Sequence, residues 1–187
     1  PLDEVRVVGS SSTRRRAQIL RYDPALEVRE LRGNVDTRIR KLREGRYDAI
    51  VLAEAGLERL GLTLEGEPLP TERFVPSPNQ GAIAVVCRDD QAVVETIAAL
   101  DHARTRLDAG IERAVMEEVG GGCFTPQGIY CRDTDLVAEV LSLDGSRWER
   151  IERRVTTIEE ARECGRELRE KAADLIEEAY AALGIRP

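Results

Sequence analysis

Three times within its first seventy or so residues the chain passes from a short apolar run into an amphipathic stretch, and few folds accommodate that rhythm. VRVVG (5–9) reads as a strand and SSSTRRRAQILRY (10–22) as a helix, with Ser12 placed to cap it and Pro24 to stop it. LEVREL (26–31) is the next strand, and NVDTRIRKLREG the next helix, capped by Asn34 and ended by Gly45. YDAIVLA (47–53) reads as a buried strand leading into the helical EAGLERLGL. Strands joined through helices pair in parallel, and the helices cover the faces of the sheet. This half is expected to be an α/β unit.

The rhythm breaks at EGEPLPTERFVPSPNQG (65–81), whose four prolines suit neither a sheet ladder nor a helix interior and mark a boundary. AIAVVC (82–87) reads as one short, very apolar strand, followed by helical stretches over about 90–99 and 103–119. Three strands are expected at QGIYCR (127–132), LVAEVLSL (136–143) and RWERIERRV (147–155), with Asp144-Gly145 as the hairpin turn between the last two. Thr157 and Glu160 form a capping-box pair opening a helix that runs to Gly184. Along it Ala161, Cys164, Leu168, Ala172, Leu175, Ile176 and Ala179 recur at helical spacing as a packing face. The second half is therefore expected to be α+β, a three-stranded antiparallel sheet with helices.

A formal net charge of −7 argues against general nucleic-acid binding, which relies on basic surface. No apolar run approaches the length of a membrane span, and the opening PLDEVRVVGS lacks the features of a signal peptide. The cysteines at 87, 123, 131 and 164 show neither CxxC nor zinc-type spacing, so no metal site is expected. Cys87 falls in an apolar strand-like run and Cys164 on the apolar stripe of the last helix; both read as small buried hydrophobes, consistent with a reducing cytoplasm.

Against this acidic background the arginines are oddly placed. In a parallel α/β sheet, whatever follows the strands' carboxyl ends gathers along one edge, where ligands bind. After the first strand come Ser10, Ser11, Ser12, Thr13, Arg14, Arg15 and Arg16; after the second, Arg32, Gly33, Asn34 and Arg38; after the third, Gly56 and Arg59. Cations in a helix's first turn oppose its dipole, by about 0.3–1 kcal/mol each at an exposed end. One reading pairs them with Glu27, Glu30 and Asp36; the other, favoured for the set, is a polyanionic ligand. Guanidinium forks match carboxylates and phosphates alike, and neither GxxxxGK[ST] nor GxGxxG is present. A second oddity is VGGGC: three glycines hold Cys123 on an exposed turn at a helix end, a mounting for which a core cysteine has no use.

Four blocks, GSSSTRRRAQ (9–18), LRGNVDTRIRKLREGRYDAIVLAEAGLERLG (31–61), PNQGAIAV (78–85) and ERAVMEEVGGGCFTPQG (112–128), resemble in order and spacing the porphobilinogen deaminase (hydroxymethylbilane synthase) family. The resemblance implies a periplasmic-binding-protein-like α/β domain over 1–70, a linker and strand over 71–94 returning to a first domain not present here, and a C-terminal domain over 95–187. It implies a cytoplasmic transferase of porphyrin and haem biosynthesis, monomeric when intact. Four porphobilinogen molecules are condensed with loss of ammonia into the linear tetrapyrrole hydroxymethylbilane, on a dipyrromethane primer attached through Cys123. Arg14, Arg15, Arg32, Arg38 and Ser12 would bind the carboxylates of the cofactor; Arg59, Gln80, Ser11 and Gly33 would serve the substrate. Arg16 is read as solvated. The catalytic aspartate is expected in the absent domain, with which this chain would partner, leaving the fragment alone inactive. Thr13 stands where leucine is usual, Asn79 where a glycine is frequent, and a third glycine precedes Cys123. The alternatives are a non-catalytic polycarboxylate-binding module and, weakly, a cysteine hydrolase; His102, the sole histidine, reads as a helix-surface or packing residue.

Overall fold

The computed structural model describes residues 4–182 and 184; the side chain of Cys123 also lies outside the described residues. In the first half β1 (Val7–Gly9), α1 (Thr13–Tyr22), β2 (Glu27–Arg29), α2 (Val35–Arg43), β3 (Ala49–Ile50) and α3 (Glu54–Arg59) follow one another. The strands form a parallel sheet in the order β2-β1-β3, with Val8 opposite Val28 and Ala49. The caps are those the sequence announces. Ser12 accepts the Arg15 N–H and Asn34 the Thr37 N–H. Val8, Ile19, Leu26 and Val28 form the core of this half, with Phe74 packed against it. β3 departs from expectation: it is only two residues long and half-buried.

The second half holds α4 (Gln91–Ile97), a 3-10 turn (Ala98–Leu100), α5 (Ala103–Val119), β4 (Gln127–Arg132), β5 (Asp135–Leu141), β6 (Trp148–Arg154), α6 (Ile158–Lys171) and α7 (Ala173–Ala182). β4-β5-β6 is an antiparallel sheet. Side chains alternate across β5, so Leu136, Ala138 and Val140 face a core shared with Ile111 and Val115 of α5 and Leu168 of α6. The expected capping box at Thr157 and Glu160 is formed. The last helix, expected as one, is interrupted at Ala172. His102 caps α5, its Nδ1 accepting the Thr105 N–H.

Where the two halves meet, the linker and α1 lie against the other face of the antiparallel sheet. Val75 is fully buried, and the Ile129 N–H donates to the Pro76 carbonyl at 2.8 Å. On α5, Glu112 accepts the N–H groups of Asn79 and Cys131; burial pushes its carboxyl up from the usual range.

The strand expected at 82–87 is not formed. Ile83 is 87% exposed and Val86 92%, and no described segment pairs with them. Apolar β-branched residues favour a strand, but a strand exists only against a partner ladder. Cys87, expected buried, is exposed on the same segment.

The β5–β6 turn yields a first prediction. Asp144 Oδ1 accepts from Ser142 Oγ at 2.6 Å, Ser146 Oγ at 2.8 Å and the Ser146 N–H at 3.0 Å. These bonds, the one from Ser142 foremost, lower its pKa to about 2, against ~3.9 in an unfolded chain. A carboxyl depressed on folding adds stability above its unfolded pKa, and that stability is lost as pH falls through the folded value. Asp144→Asn should therefore melt below the wild type at pH 6, and the gap should close between pH 4 and pH 2 in paired thermal melts. A gap independent of pH would refute it.

Candidate functional site: an arginine rim and a glycine turn

The loop after β1 uses its hydroxyls on the chain itself. Ser10 Oγ accepts the Ser12 N–H at 3.3 Å, Ser11 Oγ accepts the Leu31 N–H at 2.9 Å, and Ser12 Oγ caps α1. Ser11 thus joins the ends of β1 and β2, and its hydroxyl acts there as a tie.

Three consecutive arginines then reach three different segments. Arg14 Nη1 donates to the Val75 carbonyl at 2.6 Å, Arg15 Nη1 to that of Val51 at 3.1 Å, and Arg16 Nη1 to that of Val28 at 2.6 Å. Each guanidinium is anchored by one nitrogen to a neutral acceptor and keeps further N–H groups for something else. Arg16, read as solvated, is exposed but anchored in the same way. From the start of α2, Arg38 Nε donates to the Gly33 carbonyl at 2.7 Å.

Electrostatics shows which of these charges converge. Arg14 is lowered to about 10, first by burial and then by Arg15; Arg15 is lowered by burial and then by Arg38. Arg14, Arg15 and Arg38 therefore form a run of neighbouring, repelling cations. Among the described residues none of the three makes an ion pair, although the chain carries more acids than bases. Arg14 and Arg15 also line a cleft of about 150 Å³ between α1, the end of β3 and the linker, walled by Ile19, Leu52 and Phe74. A cavity of that size holds about one small ring.

The other sequence candidates stand apart. Arg32 is paired with Glu30 at 2.7 Å and well exposed, the pairing that the sequence offered as the bland reading. Arg59 occupies the last turn of α3, where a cation is favoured anyway. Gln80 is exposed on the 78–81 turn, and no hydrogen bond joins it to the rim among the described residues.

The glycine turn is built as its sequence demands. Gly120, Gly121 and Gly122 have φ of +69°, +80° and +61°, a run of left-handed conformations that other residues rarely adopt. Gln127 Nε2 bonds the carbonyls of Gly120 and Gly122 at 3.1 and 3.3 Å, and Thr125 Oγ1 that of Gly121 at 2.9 Å. Among the described residues the buried Gln127 Oε1 has no hydrogen-bond partner. Cys123 stands in the 3-10 turn Gly122–Phe124; its thiol, expected to tether the cofactor, lies outside the described residues.

Residues 1–96 match the family model described as porphobilinogen deaminase, dipyromethane cofactor binding domain, and residues 107–174 that of the porphobilinogen deaminase C-terminal domain. The chain belongs to the porphobilinogen deaminase family. It is 48% identical over 188 residues to a probable porphobilinogen deaminase of Methanosarcina acetivorans, covering 95% of this chain and 59% of the relative. Probable porphobilinogen deaminases of Archaeoglobus fulgidus (47% identical, 91% of this chain, 60% of the relative) and Aeropyrum pernix (44%, 94% and 59%) are similar to it. The chain thus spans less than two thirds of the length of these relatives. No helix among the described residues is long and apolar enough to cross a membrane.

The residues present fit the group named by the family model: guanidinium groups that make no ion pair among the described residues, and a cysteine at the end of a glycine turn. Sequence reasoning singled out these residues but missed Gln18, whose Oε1 accepts from Arg14 Nη1, the buried Glu139 that Gln18 bonds in turn, and Gln127, which holds the turn. A glutamate inside the apolar run LVAEVLSL was the one available signal for this network.

Proposed function

We propose that this chain supplies the carboxylate-binding and tethering parts of hydroxymethylbilane synthesis, in which four porphobilinogen molecules are joined with loss of ammonia into a linear tetrapyrrole. The observation that carries this reading is the convergence of Arg14, Arg15 and Arg38 with no ion pair among the described residues. A dipyrromethane bound through Cys123 would supply the pyrrole end from which the product grows. Arg14, Arg15 and Arg38 would hold the acetate and propionate groups by charge-assisted hydrogen bonds, with Ser12 fixing the helix end that presents them. Arg32 would join them after exchanging Glu30 for a ligand carboxylate, and Arg59, Gln80, Ser11 and Gly33 would border the substrate's path. The small cleft suits one ring at a time, and the hydrocarbon of Ile19, Leu52 and Phe74 would keep water from it.

The division into 1–70, 71–94 and 95–187 belongs to the same proposal, with the first part shaped as in periplasmic-type binding proteins. The bare apolar segment 82–87 would pair with the portion of a family protein to which this chain has no counterpart; that portion would bring the catalytic aspartate. The enzyme would be cytoplasmic and monomeric.

Arg15→Leu and Arg38→Leu test the rim. In the full-length enzyme each should lower porphobilinogen turnover with the fold kept, because losing a charge-assisted contact costs ~1.5–3 kcal/mol. Neighbouring charges sharing one ligand should be non-additive in the double variant. Turnover within twofold of wild type in both single variants would remove the rim from the site.

A further inference from the structure

On β5, Glu139 is fully buried on the face turned away from the antiparallel unit's own core. It accepts from Arg21 Nη1 at 2.8 Å, from Arg150 Nη1 at 2.8 Å and from Gln18 Nε2 at 2.8 Å. Two of these donors, Gln18 and Arg21, belong to α1, the helix whose first turn carries the arginine rim. The remaining donor is directly opposite on β6.

The Gln18 amide has only one workable orientation. Its NH2 group gives one hydrogen to Glu139 and the other to the Val75 carbonyl at 2.9 Å. Reversed, it would turn its oxygen on a carboxylate and a carbonyl, both acceptors. With the NH2 so fixed, Oε1 must face the other way, and there it accepts Arg14 Nη1 at 3.0 Å. The same Nη1 also donates to Val75, so both its hydrogens are used. Nε and Nη2 of Arg14 keep no hydrogen-bond partner among the described residues, beside the cleft that Arg14 lines.

We propose that Glu139 is a positioning residue: by setting the Gln18 amide it holds the Nη1 edge of Arg14, and so presents the other edge to a ligand carboxylate. Its negative charge also favours the charged form of Arg14 against burial and Arg15. The antiparallel unit thereby sets the geometry of an anion site on the parallel one. The inference rests on Arg14 binding carboxylate, the reading given above.

The test is titration calorimetry of the 187-residue chain with benzenehexacarboxylate at low salt, on Gln18→Met, Glu139→Gln, their double variant and Arg14→Leu. Gln18→Met breaks the relay but leaves the ion pairs of Glu139 with Arg21 and Arg150, so it decides the matter if Glu139→Gln fails to fold. Each relay variant should bind about tenfold more weakly, the double variant no more weakly than either single one. The Arg14 Nε–H resonance should be set apart from those of exposed arginines in the wild type and join them in both relay variants; a role confined to joining the two halves would leave it in place in Gln18→Met. Weakened binding in Arg14→Leu alone would overturn the relay and keep the anion site. Unchanged binding in Arg14→Leu would instead overturn the assignment of Arg14, and the relay with it.

Discussion

In the full-length enzyme, replacing Cys123 with serine is expected to abolish covalent attachment of the dipyrromethane, whereas serine at 87, 131 or 164 leaves it intact. A thioether forms from a thiolate, so a tethering cysteine must ionise readily and be reachable. Cys131 is pushed up to about 12, first by burial and then by the charge of Asp108, whose Oδ1 takes its weak S–H bond. Cys164 is raised too, chiefly by burial, and belongs to the packed face of α6. Cys87 is reachable, but among the described residues its segment has neither regular structure nor hydrogen bonds that would fix it. The turn at 120–122 combines a fixed backbone with left-handed angles, and Gln127 and Thr125 bond all three of its glycine carbonyls. Intact-mass measurement of the protein purified from a porphobilinogen-producing host gives the answer directly. An adduct that persists on Cys123→Ser, or vanishes with any of the other three substitutions, would reassign the tether.

Signals confined to a few neighbouring residues survived translation into structure. Ser12, Asn34, Thr157 and Asp144-Gly145 cap and turn as expected because each acts on backbone groups within three residues. The run AIAVVC shows the limit. Its strand propensity is real, but the pairing needed to express it comes from elsewhere, and among the described residues nothing supplies it. The arginine rim was legible as a surplus of charge at helix starts. Its anchoring was not, because Val75, Val51 and Val28 accept through carbonyl groups that every residue has. Glu139 was hidden differently. On a strand it looks like the polar half of an alternation, and only the packing of α1 against that face turns it into a buried junction.

That junction also sets the largest expected loss of stability, from adding one methyl group at Gly145. The turn residue has φ of +73°, which costs an L-residue ~1–2 kcal/mol. A Cβ there would stand 2.2 Å from the Ala17 carbonyl oxygen and 2.7 Å from the Arg21 nitrogen. Both are backbone atoms of α1, which cannot swing aside as a side chain can. The hairpin would have to lift off the helix and carry Glu139 away from Gln18 and Arg21, leaving a buried carboxylate with Arg150 as its remaining partner. Breaking a buried pair costs ~3–5 kcal/mol. Gly45→Ala is the control, since Gly45 has nearly the same φ, +72°, with nothing within 4 Å of the added carbon. Gly145→Ala should thus lose ~3 kcal/mol or more beyond Gly45→Ala in urea unfolding, because the backbone term is common to both. Equal losses in the two variants would mean that the hairpin yields freely, and that contact with α1 does not hold the halves together.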